Sequence, residues 1–192
     1  MAIAATRLMT AEEFFEWASR PENSEKNCEL ERGQIVELSR PGKRHGFVCA
    51  NVAGILRNYT IARKKGYGCC NNTGVVVERD PDTVRGPDVM LFEDATSYQE
   101  LAVGYGEQPP RVAIEVLSPN DTHGEIMRRV REQIRFGTRL VWVVDPGARN
   151  VTVHRPGQEP YIVEENEELT GADVLPDFRC RVAEFFAFPG QS

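Results

Sequence analysis

An ionisable side chain lies inside a run that has the pattern of a buried strand. Arg111-Val-Ala-Ile-Glu115-Val-Leu-Ser-Pro119 surrounds Glu115 with apolar residues, and burying an unpaired carboxylate costs several kcal/mol. A fold that accepts this segment must bring Glu115 a cation, a hydrogen-bond network or a metal. A second acid repeats the setting in Gly86-Pro-Asp88-Val-Met-Leu-Phe92, where Asp88 leads an apolar, strand-like run. Two acids at such positions suggest a divalent-cation site.

The 192 residues suit one domain with a substantial core, and 41% hydrophobic with 27% charged residues excludes both a membrane-embedded and a disordered chain. No basic-apolar leader pattern and no apolar stretch near twenty residues occurs, so the expected setting is the cytoplasm, without a membrane partner. Five cysteines, Cys28, Cys49, Cys69, Cys70 and Cys180, have no C-x-x-C pairing, which argues for reduced thiols rather than a disulfide scaffold or zinc knuckle. A net charge of -6 argues against nonspecific coating of nucleic acid. Local basic clusters remain: Lys43-Arg44, then Arg57, Arg63, Lys64 and Lys65, then Arg128, Arg129, Arg131, Arg135 and Arg139. They form one basic face if the fold gathers them, and solvated helix surface if it does not.

Thr10 and Glu13 stand at capping-box spacing and open an amphipathic helix. Cys28–Glu31 and Gln34–Leu38, joined at Arg32-Gly33, read as an N-terminal antiparallel hairpin. From His45 to about Lys65 the apolar residues follow a helical period in what is expected to be the longest helix. Tyr67 to Arg79 reads as a strand region with a turn at Asp80-Pro-Asp82. Residues 93 to 110 form a long polar connection of the kind that covers sites or meets partners. A helix over 121–136, ended by Gly137, leads to the buried strand Arg139–Asp145. Val151–His154 and Tyr161–Val163 read as a closing C-terminal hairpin, and Phe178 to Phe188 as a last apolar segment.

In the helix after Glu115, Ile126, Val130 and Ile134 form the packing stripe, with Glu125, Arg129 and Gln133 in a parallel polar stripe at the border of the core. Packed beside the Glu115 strand, that helix would aim Arg129 at the two acids, where a cation opposes the charge of a scissile phosphate. The local alternative is a Thr122–Glu125 cap with a Glu125–Arg129 ion pair worth a few tenths of a kcal/mol. Spacing leaves both open. His45, at a loop–helix junction, is open to a site role or a capping one, whereas His123 and His154 read as exposed or structural.

Several segments together resemble one family. They are Glu29-Leu-x-x-Gly33-x-Ile-Val-Glu37, His45, Val84-Arg85-x-Pro87-Asp88, Glu115-Val-Leu-Ser-Pro119, Asp121-Thr-x-x-Glu125 with a basic residue at 129, and Gly137 followed by Leu140-Val-Trp-Val-Val-Asp-Pro146. Their order and spacing resemble the Uma2 family, of the PD-(D/E)XK nuclease-like group, across about residues 8 to 188. The resemblance implies an α+β (mixed α/β) fold with a restriction-endonuclease-like core: a central mixed sheet flanked by helices. It implies a DNA endonuclease using Mg2+, or Mn2+ in its place. Asp88 and Glu115 match the metal-binding acids, with the Val116 carbonyl as a further ligand and Glu29 as an additional acid. A homodimer would place two such sites on two strands.

The chain departs from the pattern in two places. Leu117 occupies the usual lysine position, and the helix position that takes over its role in Uma2-like sequences is Arg129. Gln133 stands where tyrosine is usual. Lys can shed a proton when buried, whereas Arg supplies only charge and hydrogen bonds. Three functions therefore stand side by side: a metal-dependent nuclease weakened by Arg129, a catalytically inactive nucleic-acid-binding module, and an interaction protein that keeps the fold. Nothing matches a Ser-His-Asp order or a phosphate-binding glycine loop.

Overall fold

The computed structural model describes residues 7–190. Helix α1 (Ala11–Ala18) begins at the Thr10–Glu13 capping box and leads to strands β1 (Cys28–Glu31) and β2 (Gln34–Glu37). Their hairpin turns through Arg32 and Gly33 at φ 48° and 75°, the left-handed pair of a primed turn. Gly33 is required for a second reason: a Cβ there would stand 2.6 Å from Leu8 Cβ.

Helix α2 (Lys43–Arg63) starts two residues before the expected His45 and ends at Lys64, which is left-handed at φ 52°. The following stretch is divided between two sheets. Strand β3 (Tyr67–Cys70) joins one, and β4 (Val75–Glu78) with β5 (Thr83–Arg85) joins another. Asn71 and Asn72, both at positive φ, make the exit between them, a conformation whose cost a short polar side chain reduces.

Strands β6 (Val89–Phe92) and β7 (Val112–Val116) pair antiparallel, Val89 facing Ile114. From β7 the chain crosses through α3 (His123–Phe136) to β8 (Leu140–Asp145), which pairs parallel with β7. A parallel neighbour needs such a crossover, and the helix has to pack back on the sheet. The Thr122–Glu125 capping box starts α3, and Gly137 at φ 116° ends it. Strands β9 (Asn150–His154) and β10 (Tyr161–Val163) form the C-terminal hairpin. A last pair, β11 (Glu168–Thr170) and β12 (Arg179–Arg181), stands apart.

The result is an α+β fold with a mixed six-stranded sheet in the order β10-β9-β8-β7-β6-β3, and a four-stranded sheet in the order β2-β1-β5-β4. Alternation along β7 sends Val112, Ile114 and Val116 into the main core, against Val48, Val52 and Leu56 of α2. Phe178 and Phe185 reach the same core and pack on Trp142 of β8. The opposite face of β7 carries Ala113 and Glu115, beside α3, whose Ile126 and Val130 pack on Val141 and Val143. Among the described residues no helix is long and apolar enough to cross a membrane.

Candidate active site

Strand register sets the first two acids. Asp88 lies one step before the paired Val89 and Ile114, so the antiparallel ladder puts it opposite Glu115. Its Oδ2 accepts the Val116 N–H at 2.8 Å and lies 3.3 Å from His45 Nε2. The start of β6 is thereby tied both to the end of β7 and to the first turn of α2. His45 belongs to the cleft, with a side chain only 10% exposed.

Glu29 arrives from the four-stranded sheet. Its Oε1 accepts from Gly86 N–H and from Arg129 Nη1, each at 2.9 Å, and its Oε2 accepts from Arg85 Nη1 at 3.0 Å. Arg85 is itself buried and grips Glu132 of α3 through Nε and Nη2 at 2.6 and 3.1 Å. A chain of ions thus runs from the N-terminal hairpin through β5 to the crossover helix, extended by the Arg128–Glu31 pair.

Arg129 turns inward from its stripe on α3, with a side chain 17% exposed. Its Nη1 bonds Glu29 and lies 3.9 Å from Glu115 Oε2, beyond hydrogen-bond length. Glu125 is occupied by the Thr122 N–H and hydroxyl, so the local cap forms, but Glu125 makes no ion pair with Arg129. Gln133 is buried one turn later and bonds Thr138 through its Oε1.

Glu115 is 5% exposed, and its Oε1 accepts no hydrogen bond. Burial pushes its carboxyl well above the usual carboxylate range, with Arg129 opposing the rise and Asp88 and Glu29 adding to it. His45 is shifted up by its hydrogen bond to Asp88, against the effect of burial, with the Val116 backbone assisting. Behind His45, the Cys49 thiol lies 3.4 Å from Nδ1 and is pushed up by burial. Asp121 faces the same cleft and accepts from Ser118 N–H at 2.7 Å.

The cleft has a volume of about 110 Å³, room for an ion and several waters. Asp88, Glu115, His45 and Arg129 line it, with Pro41 and Ser39 of the β2–α2 loop at its mouth. Two carboxylates, one with an uncommitted buried oxygen, are the hard donors that suit an oxygen-seeking divalent cation.

Two open readings are narrowed here. The 93–110 connection does not border the cleft; its Tyr105 packs on Phe14 and Phe15 of α1 instead. Of the basic cluster over 128–139, Arg128 and Arg129 turn inward to the hairpin acids and Arg139, beyond α3, pairs with Asp173. Sequence reading also overlooked Cys49, although His45 and Cys49 stand at the i,i+4 spacing that puts two side chains on one helix face.

A family model described as "Putative restriction endonuclease", that of Uma2, matches residues 11–183. The chain belongs to the Uma2 family. The match takes in every residue of the cleft. A solved structure, a "putative nuclease belonging to DUF820" from Anabaena variabilis, superposes with a TM-score of 0.75 at 19% identity, over 93% of this chain and 97% of that one. At that identity the likeness establishes a shared fold. No curated protein is significantly similar.

Proposed function

We propose that this Uma2 protein is a divalent-metal-dependent endonuclease that hydrolyses DNA phosphodiester bonds, with Mg2+ as the preferred ion and Mn2+ as a substitute. One observation carries the reading: Glu115 holds a buried carboxylate oxygen without a hydrogen bond, beside a second acid and a cation. A divalent ion relieves that desolvation, and nothing in the apolar packing explains it. Asp88, Glu115 and the Val116 carbonyl would hold the ion, which when bound supplies Lewis-acid polarisation of the phosphoryl group and acidifies water.

The remaining work falls to the side chains. Arg129 stays protonated throughout and cannot take a proton from water. Its role is to draw in a phosphate oxygen and offset the charge that builds during displacement. Glu29, held by three donors, orients Arg129 and balances its charge when no phosphate is present. His45 helps fix Asp88 through its contact with Oδ2. Replacing the usual lysine by Arg129 lowers the rate while leaving phosphate capture intact.

The test is conversion of supercoiled plasmid to nicked or linear DNA at low salt, with Mg2+ or Mn2+. Native protein is expected to cut, Asp88→Ala to lose at least about 100-fold, and Arg129→Lys to gain about 10-fold or more by restoring a group that can transfer a proton. Native silence with cutting by Arg129→Lys identifies a disabled relative that still binds. Silence from all three with both ions overturns the reading.

A further inference from the structure

We propose that His45, Cys49 and Asp88 form a binding site for a thiophilic divalent cation of the zinc type, which competes for Asp88 with the hard ion assigned above. The competition rests on the nuclease reading; the zinc site itself does not.

The three residues each turn one ligand atom toward a common point, all within 4.8 Å of one another. Tetrahedral bonds of about 2.0–2.3 Å put zinc ligands about 3.3–3.8 Å apart. His45 ligates through one ring nitrogen, so one spacing at a time already falls there: Nε2 to Asp88 Oδ2 at 3.3 Å, or Nδ1 to Cys49 Sγ at 3.4 Å. The other two lie within 4.8 Å and close with up to about an ångström of side-chain movement each. Asp88 is anchored by the Val116 N–H and His45 and Cys49 ride on one rigid turn of α2, so the donor set is already gathered.

The donor chemistry decides the class of ion. Sulfur, imidazole and one carboxylate make the mixed set that zinc takes with a fourth position left for water, and they suit Mg2+ poorly, since it demands oxygen. Coordination replaces the Sγ–H proton, which leaves to solvent, so uptake is coupled to proton release. Because Asp88 serves both ions, zinc occupancy withdraws one acid from the pair and leaves Glu115 alone in the cleft.

The test is titration of the intact chain with Co2+, followed by absorption spectroscopy. One equivalent is expected to give the near-ultraviolet thiolate-to-cobalt charge-transfer band, and Zn2+ to displace it. The band should vanish in Cys49→Ser and survive in Cys70→Ser. Zinc affinity against a chromophoric chelator should fall at least about 100-fold in Cys49→Ser, no less than the loss of an outer-shell partner brings. On the unaltered chain, Zn2+ should also protect Cys49 from iodoacetamide, read by peptide mass spectrometry, which removes dependence on any variant's folding. No band in the native chain, a band that outlives Cys49→Ser, or unchanged alkylation of Cys49 overturns the proposal. A band in a chain that never nicks plasmid upholds the zinc site and sinks the nuclease reading.

Discussion

Strand β7 turns Val112, Ile114 and Val116 toward helix α2 and Ala113 and Glu115 toward helix α3, and the two faces of the sheet differ accordingly. On the α2 side, Val48, Val52 and Leu56 meet a continuous apolar layer that runs to Trp142 and Phe185. On the α3 side, apolar contact is broken into two small clusters, and between them lie Glu29, Arg85, Glu115, Arg129 and Glu132. Apolar packing supplies stability with little geometric demand beyond volume. A buried ion chain supplies fixed positions, and its stability depends on every partner being present. The fold thus separates the layer that holds it together from the layer that places charges.

The strongest way to break this contrast is Arg85→Met. It removes the cation shared by buried Glu29 and half-buried Glu132, leaving Glu29 with Arg129 alone, and is expected to destabilise by about 3–5 kcal/mol in denaturant unfolding. It should also lower cleavage by the molecules that remain folded, since Glu29 loses the anchor that orients Arg129. Restoring most of that stability by adding Glu29→Gln and Glu132→Gln would sharpen the point; no recovery would show that Arg85 matters through packing alone. On the apolar side, Leu56→Ala is expected to cost about 2–5 kcal/mol through its cavity, with cleavage per folded molecule unchanged. Equal losses of activity in both variants would erase the division of labour. The smallest effect concerns His154 of β9, whose pKa burial lowers and whose Nε2 has no hydrogen-bond partner. A histidine kept neutral in the fold protonates more readily once unfolded, so stability declines as pH falls below its ordinary value near ~6.5 and levels off below the folded one. His154→Gln should flatten that decline in thermal melts between those limits.

The apolar layer was far more legible in the sequence than the ionic one. Continuous apolar runs mark β7 and β8 and a period-3.6 stripe marks α3, both capping boxes form where their spacing put them, and Gly33 and Gly137 close the turns that need positive φ. The polar stripe of α3 put Arg129 at the border of the core, but spacing left its partner open between the two acids and Glu125; the structure pairs it with Glu29. Arg85 could not. A lone arginine in a three-residue strand looks solvent-exposed until two acids from distant elements are known to converge on it. The division of residues 67–79 between two sheets was hidden for the same reason, since pairing partners are set by tertiary contacts that no local pattern encodes. Cys49 was passed over because cysteines were weighed against other cysteines rather than against a histidine one helical turn away.

Glu29 and Arg129 stand 100 positions apart in the chain. Domains generally fold as units, and during synthesis the N-terminal hairpin leaves the ribosome long before α3. Until then Glu29 has no Arg129, and Glu115 has no cation facing it. Whatever chemistry the cleft performs therefore begins only with the finished crossover, and a truncated or half-made chain carries the acids without the charge that puts them to use.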